Sequence, residues 1–150
     1  QKWSRPSRLG RHVHAMYAGK CLEVPKPDSG TQAQINDCLP SPVTGQEWAY
    51  HPLTQRLTIL GSGTEKRLSI LGAAVVIEDC AADANQLWTL QDNGIGGTII
   101  STPSIETDSP LCMTLPGTTM SLIPNGTKVE VQPCPASDEP ASPNQQWIWP

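Results

Sequence analysis

The chain has 150 residues, a formal net charge of −4, 37% hydrophobic residues and no phenylalanine. That length fits one domain around one ordinary core. No run of 18 apolar residues occurs, which excludes a helical membrane span, and the acidic balance argues against a nucleic-acid surface.

The N-terminal stretch is basic. Lys2, Arg5, Arg8, Arg11 and Lys20 are half of the ten basic residues, and no acid precedes Glu23. With Trp3 as its aromatic ring, this arm reads as lying against the acidic body of the same chain rather than as a nucleic-acid site. Gln1 reads as a mature N-terminus left after removal of a leader. His12 and His14 alternate onto one face of a short strand, two ligands for a metal at most. No cysteine or carboxylate adjoins them in sequence, so they read as solvated histidines and no metal site is expected.

A tripeptide then recurs. Gln1-Lys2-Trp3, Gln46-Glu47-Trp48, Gln86-Leu87-Trp88 and Gln145-Gln146-Trp147 share Gln-x-Trp and hold four of the five tryptophans. The three internal copies are each preceded by an apolar-x-x-Cys segment: Ile35 to Cys38, Ile77 to Cys80, Val131 to Cys134. Further upstream stands a third signature: Cys21-Leu22-Glu23-Val24, Arg67-Leu68-Ser69-Ile70, Cys112-Met113-Thr114-Leu115. Repetition at this period sets the architecture before any local reading does. A tryptophan in each unit supplies a large apolar filling where the units meet, and the glutamine amide, donor and acceptor at once, ties a turn to a neighbouring strand. Trp3 would compete with Trp147 for one place and is expected to be peripheral. Cys21 with Cys38, and Cys112 with Cys134, occupy matching places, so both pairs are expected as disulfides in an oxidising compartment. Arg67 stands where the partner of Cys80 would be, which leaves Cys80 a free thiol, expected to be buried as a small hydrophobe. Asn125-Gly126-Thr127 is a glycosylation acceptor in a loop.

Fifteen prolines and twelve glycines interrupt the chain every few residues. The runs between them, Arg56–Leu60, Arg67–Leu71, Val75–Ile77, Thr98–Ser101 and Lys128–Val131, have strand character and no helical period. The expectation is an all-β barrel or sandwich.

The three signatures in phase resemble the ricin B-chain type of lectin, also found as family 13 carbohydrate-binding modules. The resemblance covers essentially the whole chain. It implies a β-trefoil: three pseudo-symmetric four-stranded repeats, about 1–48, 49–88 and 89–150, forming a six-stranded barrel capped by three hairpins. It also implies glycans or glycoproteins as partners, a secreted location, no cofactor and no catalysis.

Strand alternation puts Glu23, Gln34 and Asn36 on the face of Cys21 and Cys38, with Gln46 approaching from the next loop. By the resemblance these are the first-repeat sugar contacts, with Asn36 where the family has a stacking ring. The third repeat offers Thr114, Glu130, Gln132, Asn144 and Gln145. The second offers Ser69, Val76 and Glu78, with Asn85-Gln86. Its Ile70–Val76 connection is too short to wall a pocket, and Arg67 and Glu78 are expected to pair there in place of a cystine. Tyr17, Tyr50 and Trp149 are the rings left to supply stacking, each equally placed for packing. Glu78-Asp79 and Asp138-Glu139 are adjacent rather than facing, unlike a glycosidase pair. The expected function is a non-catalytic carbohydrate-binding lectin or module with partly degenerate sites. The alternatives are a trefoil that lost sugar binding and serves as a protein-interaction module (accessory subunit of a secreted enzyme, or inhibitor), acting through the loops Ser101–Pro110 and Pro116–Thr127, and a binding module of a glycoside hydrolase.

Overall fold

The computed structural model describes residues 11–40, 45–61, 65–80, 84–103, 109–117, 123–135 and 142–149. Within them the chain forms twelve short strands: β1 His14–Ala15, β2 Cys21–Glu23, β3 Gln34–Asn36, β4 Trp48–His51, β5 Arg56–Ile59, β6 Lys66–Leu71, β7 Ala74–Asp79, β8 Thr89–Asp92, β9 Thr98–Thr102, β10 Leu111–Thr114, β11 Glu130–Pro133 and β12 Trp147–Ile148. Single 3-10 turns lie at Ala84–Gln86 and Pro143–Gln145. Trp3 and the basic residues up to Arg8 lie outside the described residues, as do Asp138, Glu139 and the middles of the two long third-repeat loops.

Six strands close a ring. Arg11, leading into β1, exchanges two backbone hydrogen bonds of 3.0 Å with Trp48 of β4. β4 pairs β5, β8 pairs β9, β9 pairs β12 and β12 pairs β1. The Trp88 amide, just before β8, donates to the Gln55 carbonyl just before β5 at 2.9 Å. A closed ring leaves no barrel edge exposed. The other six strands make the hairpins β2–β3, β6–β7 and β10–β11.

The hairpins meet on the symmetry axis. Ala33 N–H donates to the Val75 carbonyl (2.8 Å), Val75 N–H to Val129 (3.2 Å) and Val129 N–H to Ala33 (2.9 Å), a closed cycle of three residues, one from each third. All three are fully buried. The arrangement is a β-trefoil.

The repeated signatures occupy matched places. The indole N–H of Trp48 donates to the Leu22 carbonyl (3.1 Å), that of Trp88 to Leu68 (3.0 Å) and that of Trp147 to Met113 (3.0 Å). Each tryptophan is 0% exposed. Each motif glutamine also repeats one bond: the side-chain amide of Gln46 donates to the Asp37 carbonyl (2.9 Å), that of Gln86 to Asp79 (2.8 Å) and that of Gln145 to Pro133 (3.2 Å). The rest of the core is aliphatic, with Leu22, Ile35, Leu57, Ile59, Leu68, Ile77, Ile100, Met113 and Leu115 filling the space between the indoles.

Disulfides join Cys21 to Cys38 and Cys112 to Cys134, clipping the first and third hairpins. Loops of that length stabilise by about 3 kcal/mol each in the chain-entropy account. The second hairpin is clipped differently from expectation. Arg67 lies opposite Glu78 in register, but its guanidinium pairs with Glu65 at 3.6 Å, and the neighbouring Lys66 pairs with Asp79 at 2.7 Å. Glu65 precedes the strand by one residue and stands two before Arg67, on the same face by alternation, so it competes with Glu78 for the guanidinium. Cys80 is free and exposed, not buried. The reason is the place it occupies. In the first pair the buried member is Cys21, while Cys38 is already at the surface, and Cys80 is the counterpart of Cys38. Its thiol donates to the Glu65 carboxylate at 3.1 Å. Partial desolvation of the sulfur, then the hydrogen bond and charge of Glu65, push this thiol above its ordinary value.

Two outcomes follow from this packing. Trp88→Ala should cost roughly 3–5 kcal/mol, the range for a fully buried large aromatic, read as a lower denaturation midpoint. The unreduced, folded protein should show one thiol to a disulfide reagent. Because the thiol stays protonated until the pH passes its raised value, labelling should be slow at neutral pH and accelerate only at a more alkaline pH than for an ordinary free cysteine; Glu65→Gln should speed it at neutral pH.

Candidate functional site

The first hairpin places Glu23 opposite Gln34 and Cys21 opposite Asn36. With β2 and β3 in this register, the residues pointing away from the core converge. One Glu23 oxygen accepts from the Gln34 amide at 2.9 Å; the other accepts from Gln46 at 3.1 Å and from Asn36 at 3.4 Å. Gln46 is fully buried and held on both sides, its carbonyl accepting from the Leu39 N–H at 2.9 Å and its amide donating to the Asp37 carbonyl. Glu23 is therefore half-buried and fixed from three directions, while Gln34 and Asn36 form a partly exposed polar rim. A carboxylate has about four lone-pair sites and three are taken, so capacity remains for about one hydroxyl donor from a ligand.

A further residue joins this group. Lys128 donates to the Gln34 side-chain carbonyl at 2.6 Å, across a bridge between β3 and the chain entering β11. Nothing in the repeat pattern selects it, because it comes from another third of the chain. The only sequence cue is its position next to Val129, the axial counterpart of Ala33 and Val75.

Beside the rim, Asp37 accepts from Lys20 at 3.0 Å and from Asn125 at 3.0 Å, and Lys20 also donates to Asn125 at 2.8 Å. The Asn125 hydrogen bond, then Lys20, hold the exposed Asp37 carboxyl below the usual carboxylate range. Asn125, the sequon asparagine, is exposed, with both ends of its amide engaged.

The third repeat does not gather its residues in the same way. Thr114 is fully buried; its hydroxyl donates to the Cys112 carbonyl at 2.8 Å and accepts from Gln145 at 3.2 Å. Asn144 donates to the Leu115 carbonyl at 3.1 Å. Gln132 is exposed and bonds Glu130 on the hairpin surface. In the second repeat Ser69 and Val76 are buried, and β6 turns into β7 through Gly72 and Ala73.

The spare rings are placed elsewhere. The Tyr50 hydroxyl donates to the Trp88 carbonyl at 2.8 Å, and its ring meets Trp149 edge-on at 6.4 Å; burial raises its phenol pKa. Tyr17 is 46% exposed. The His12 and His14 rings are 6.3 Å apart. The nearest further donors to His14 are the sulfurs of Cys21 and Cys38, which the disulfide occupies. A separate open cleft of about 380 Å³ lies at the β4–β5 turn, lined by His51, Pro52, Leu53, Thr54, Glu65 and Arg67.

Known proteins share this architecture. The solved structure of the Vibrio vulnificus hemolysin/cytolysin β-trefoil lectin, with N-acetyl-D-lactosamine bound, is similar at a TM-score of 0.70 and 15% identity, over 95% of each chain. The C-half of an earthworm R-type lectin, in complex with GalNAc, is similar at a TM-score of 0.71 and 12% identity, over 95% of this chain and 98% of that one. The designed three-fold symmetric protein ThreeFoil is similar at 0.71 and 18% identity, over 93% and 96%. At these identities the likeness is one of fold. No curated protein sequence matches the chain significantly. The ricin-type β-trefoil lectin domain family model matches residues 9–147, and the chain belongs to that family.

Proposed function

We propose that this domain is a non-catalytic glycan-binding module whose working site lies in the first repeat. Membership of a lectin family supports carbohydrate binding in general. The observation that carries the finer reading is the Glu23 carboxylate, held by the amides of Gln34, Asn36 and Gln46 on a partly exposed rim. Glu23 accepts a hydrogen bond from a sugar hydroxyl, Gln34 and Asn36 complete the polar edge, and Gln46 positions Glu23. No comparable set converges among the described residues of the other two repeats, where the corresponding side chains are buried or engaged with their own hairpin. Among the described residues no aromatic ring joins Glu23, Gln34, Asn36 and Gln46, a loss of the order of 1 kcal/mol, so affinity depends on the charged hydrogen bonds. Two disulfides fit a secreted protein.

A second reading rests on a different surface. The cleft at the β4–β5 turn carries the fully exposed Leu53, and its Glu65 accepts from the exposed Cys80 thiol. An apolar anchor beside a free thiol suits a protein partner.

A glycan array with the intact domain, read beside Glu23→Ala and Gln34→Ala, tests the first reading. A bond to a charged acceptor contributes about 1.5–3 kcal/mol, so Glu23→Ala should lower sugar affinity at least tenfold while thermal melting confirms that the fold persists. Retained binding in both variants would move the site elsewhere. A silent array, with one stoichiometric protein partner captured from extracellular fluid and lost on Leu53→Asp, would favour the second.

A further inference from the structure

Resting on the first-repeat reading, the geometry points to an anionic saccharide as the ligand, with Lys128 of the third repeat supplying the charge that recognises it.

One row of side chains runs across three strands. Glu23 on β2 faces Gln34 on β3, and Gln34 faces Lys128 on the chain entering β11. The hydrogen bonds run in one direction. Lys128 donates to the carbonyl of Gln34, and the amide of Gln34 donates to Glu23. The orientation of Gln34 is thereby fixed by its two neighbours, and the row ends in a carboxylate on one side and an ammonium on the other.

The pseudo-threefold axis supplies two internal comparisons. The corresponding rows are Ser69, Val76 and Gln32 in the second position, and Thr114, Glu130 and Ala74 in the third, by the matching bridges Gln32 to Val76 and Glu130 to Ala74. The second has an apolar centre and no charge. The third has an acid with no cation beside it. Only the first row combines an anionic and a cationic end.

Lys128 is free to do more than prop Gln34. It is exposed, and a lysine ammonium has three donors, of which Gln34 takes one. Among the described residues no carboxylate forms an ion pair with it. The other cation near the rim, Lys20, is already committed to Asp37 and Asn125. Glu130, two residues along from Lys128, is engaged by Gln132.

These facts constrain the ligand. Glu23 needs a hydroxyl donor and repels negative charge; Lys128 attracts it. The complementary molecule carries free hydroxyls at one end and a carboxylate or sulfate at the other. Where the family's usual ring would stack, Asn36 offers only a polar amide. A charge-assisted hydrogen bond to Lys128, about twice as strong as a neutral one, compensates for that missing contact. Sialic acid, a uronic acid and a sulfated galactose share this chemistry.

The test is direct binding of the whole domain to matched glycans: a neutral galactoside, its sialylated form, its sulfated form and a uronate-terminated form, each at low and high salt. The inference expects one or more acidic forms to bind at least tenfold more tightly than the neutral one. That preference should shrink as salt rises, because an exposed charge pair is screened. Lys128→Met should abolish the preference and leave the melting temperature near that of the parent, whereas Lys128→Arg should retain it. A merely structural role for Lys128 would instead weaken all glycans alike and show no salt dependence. Tighter binding of the neutral form, or an acidic preference unmoved by Lys128→Met, would overturn the inference. Binding of neutral and acidic forms alike, lost on Glu23→Ala, would leave the glycan-binding reading intact while removing this one. Absence of binding to every form would remove both.

Discussion

The bond from each buried indole N–H to a hairpin carbonyl is what the rest of the molecule depends on. Trp48, Trp88 and Trp147 each stand at or beside the start of a barrel strand, and each reaches the first strand of the hairpin of its own third. A tryptophan buried without that acceptor would lose the value of a hydrogen bond in a place water cannot reach. The contact therefore fixes depth as well as direction. It holds barrel to hairpin in every third, and it lets a chain without phenylalanine build its core from three indoles with aliphatic residues between them. The motif glutamine adds a second tether to the end of the same hairpin. Between them these two side chains explain why a tripeptide with one free position suffices to mark the fold.

With the frame held at those points, the hairpins are free to differ. The first and third are clipped by cystines, while the second is held across its strands by Lys66 on Asp79 and by the Cys80 thiol on Glu65. Lys20 with Asp37 in the first third matches Lys66 with Asp79 in the second, so that ion pair recurs whether or not a disulfide is present. The polar faces diverge further. A carboxylate at Glu23 becomes a buried hydroxyl at Thr114, which turns inward to the backbone of its own strand. One charge, at one of three equivalent places, separates a rim that gathers donors from one that is self-contained.

The axial cycle of Ala33, Val75 and Val129 has a consequence for the site. By drawing the three hairpins together it places a residue of one third beside the polar face of another. Lys128 reaches Gln34 for that reason, although the two are far apart in the chain. A site that looks local in sequence, a hairpin and its next loop, is completed across the symmetry axis.

The sequence determined the class of architecture: short strands between turns made it all-β, three in-phase signatures made it threefold, and their resemblance to the ricin B-chain type made it a trefoil. The same signatures placed the Cys21–Cys38 and Cys112–Cys134 bonds, because equivalent positions must lie equally close. They also brought Glu23, Gln34, Asn36 and Gln46 to one face, since alternation along paired strands is a local rule. Only the tertiary structure decided the rest. Cys80 is exposed because its place matches the outer member of a cystine, which burial statistics for cysteine do not distinguish. Arg67 pairs with Glu65 rather than with its register partner Glu78, because both acids share its face and pattern alone does not choose between them. Lys128 enters the site because contacts between thirds depend on how the hairpins pack around the axis, and a repeat read one unit at a time carries no information about its neighbour.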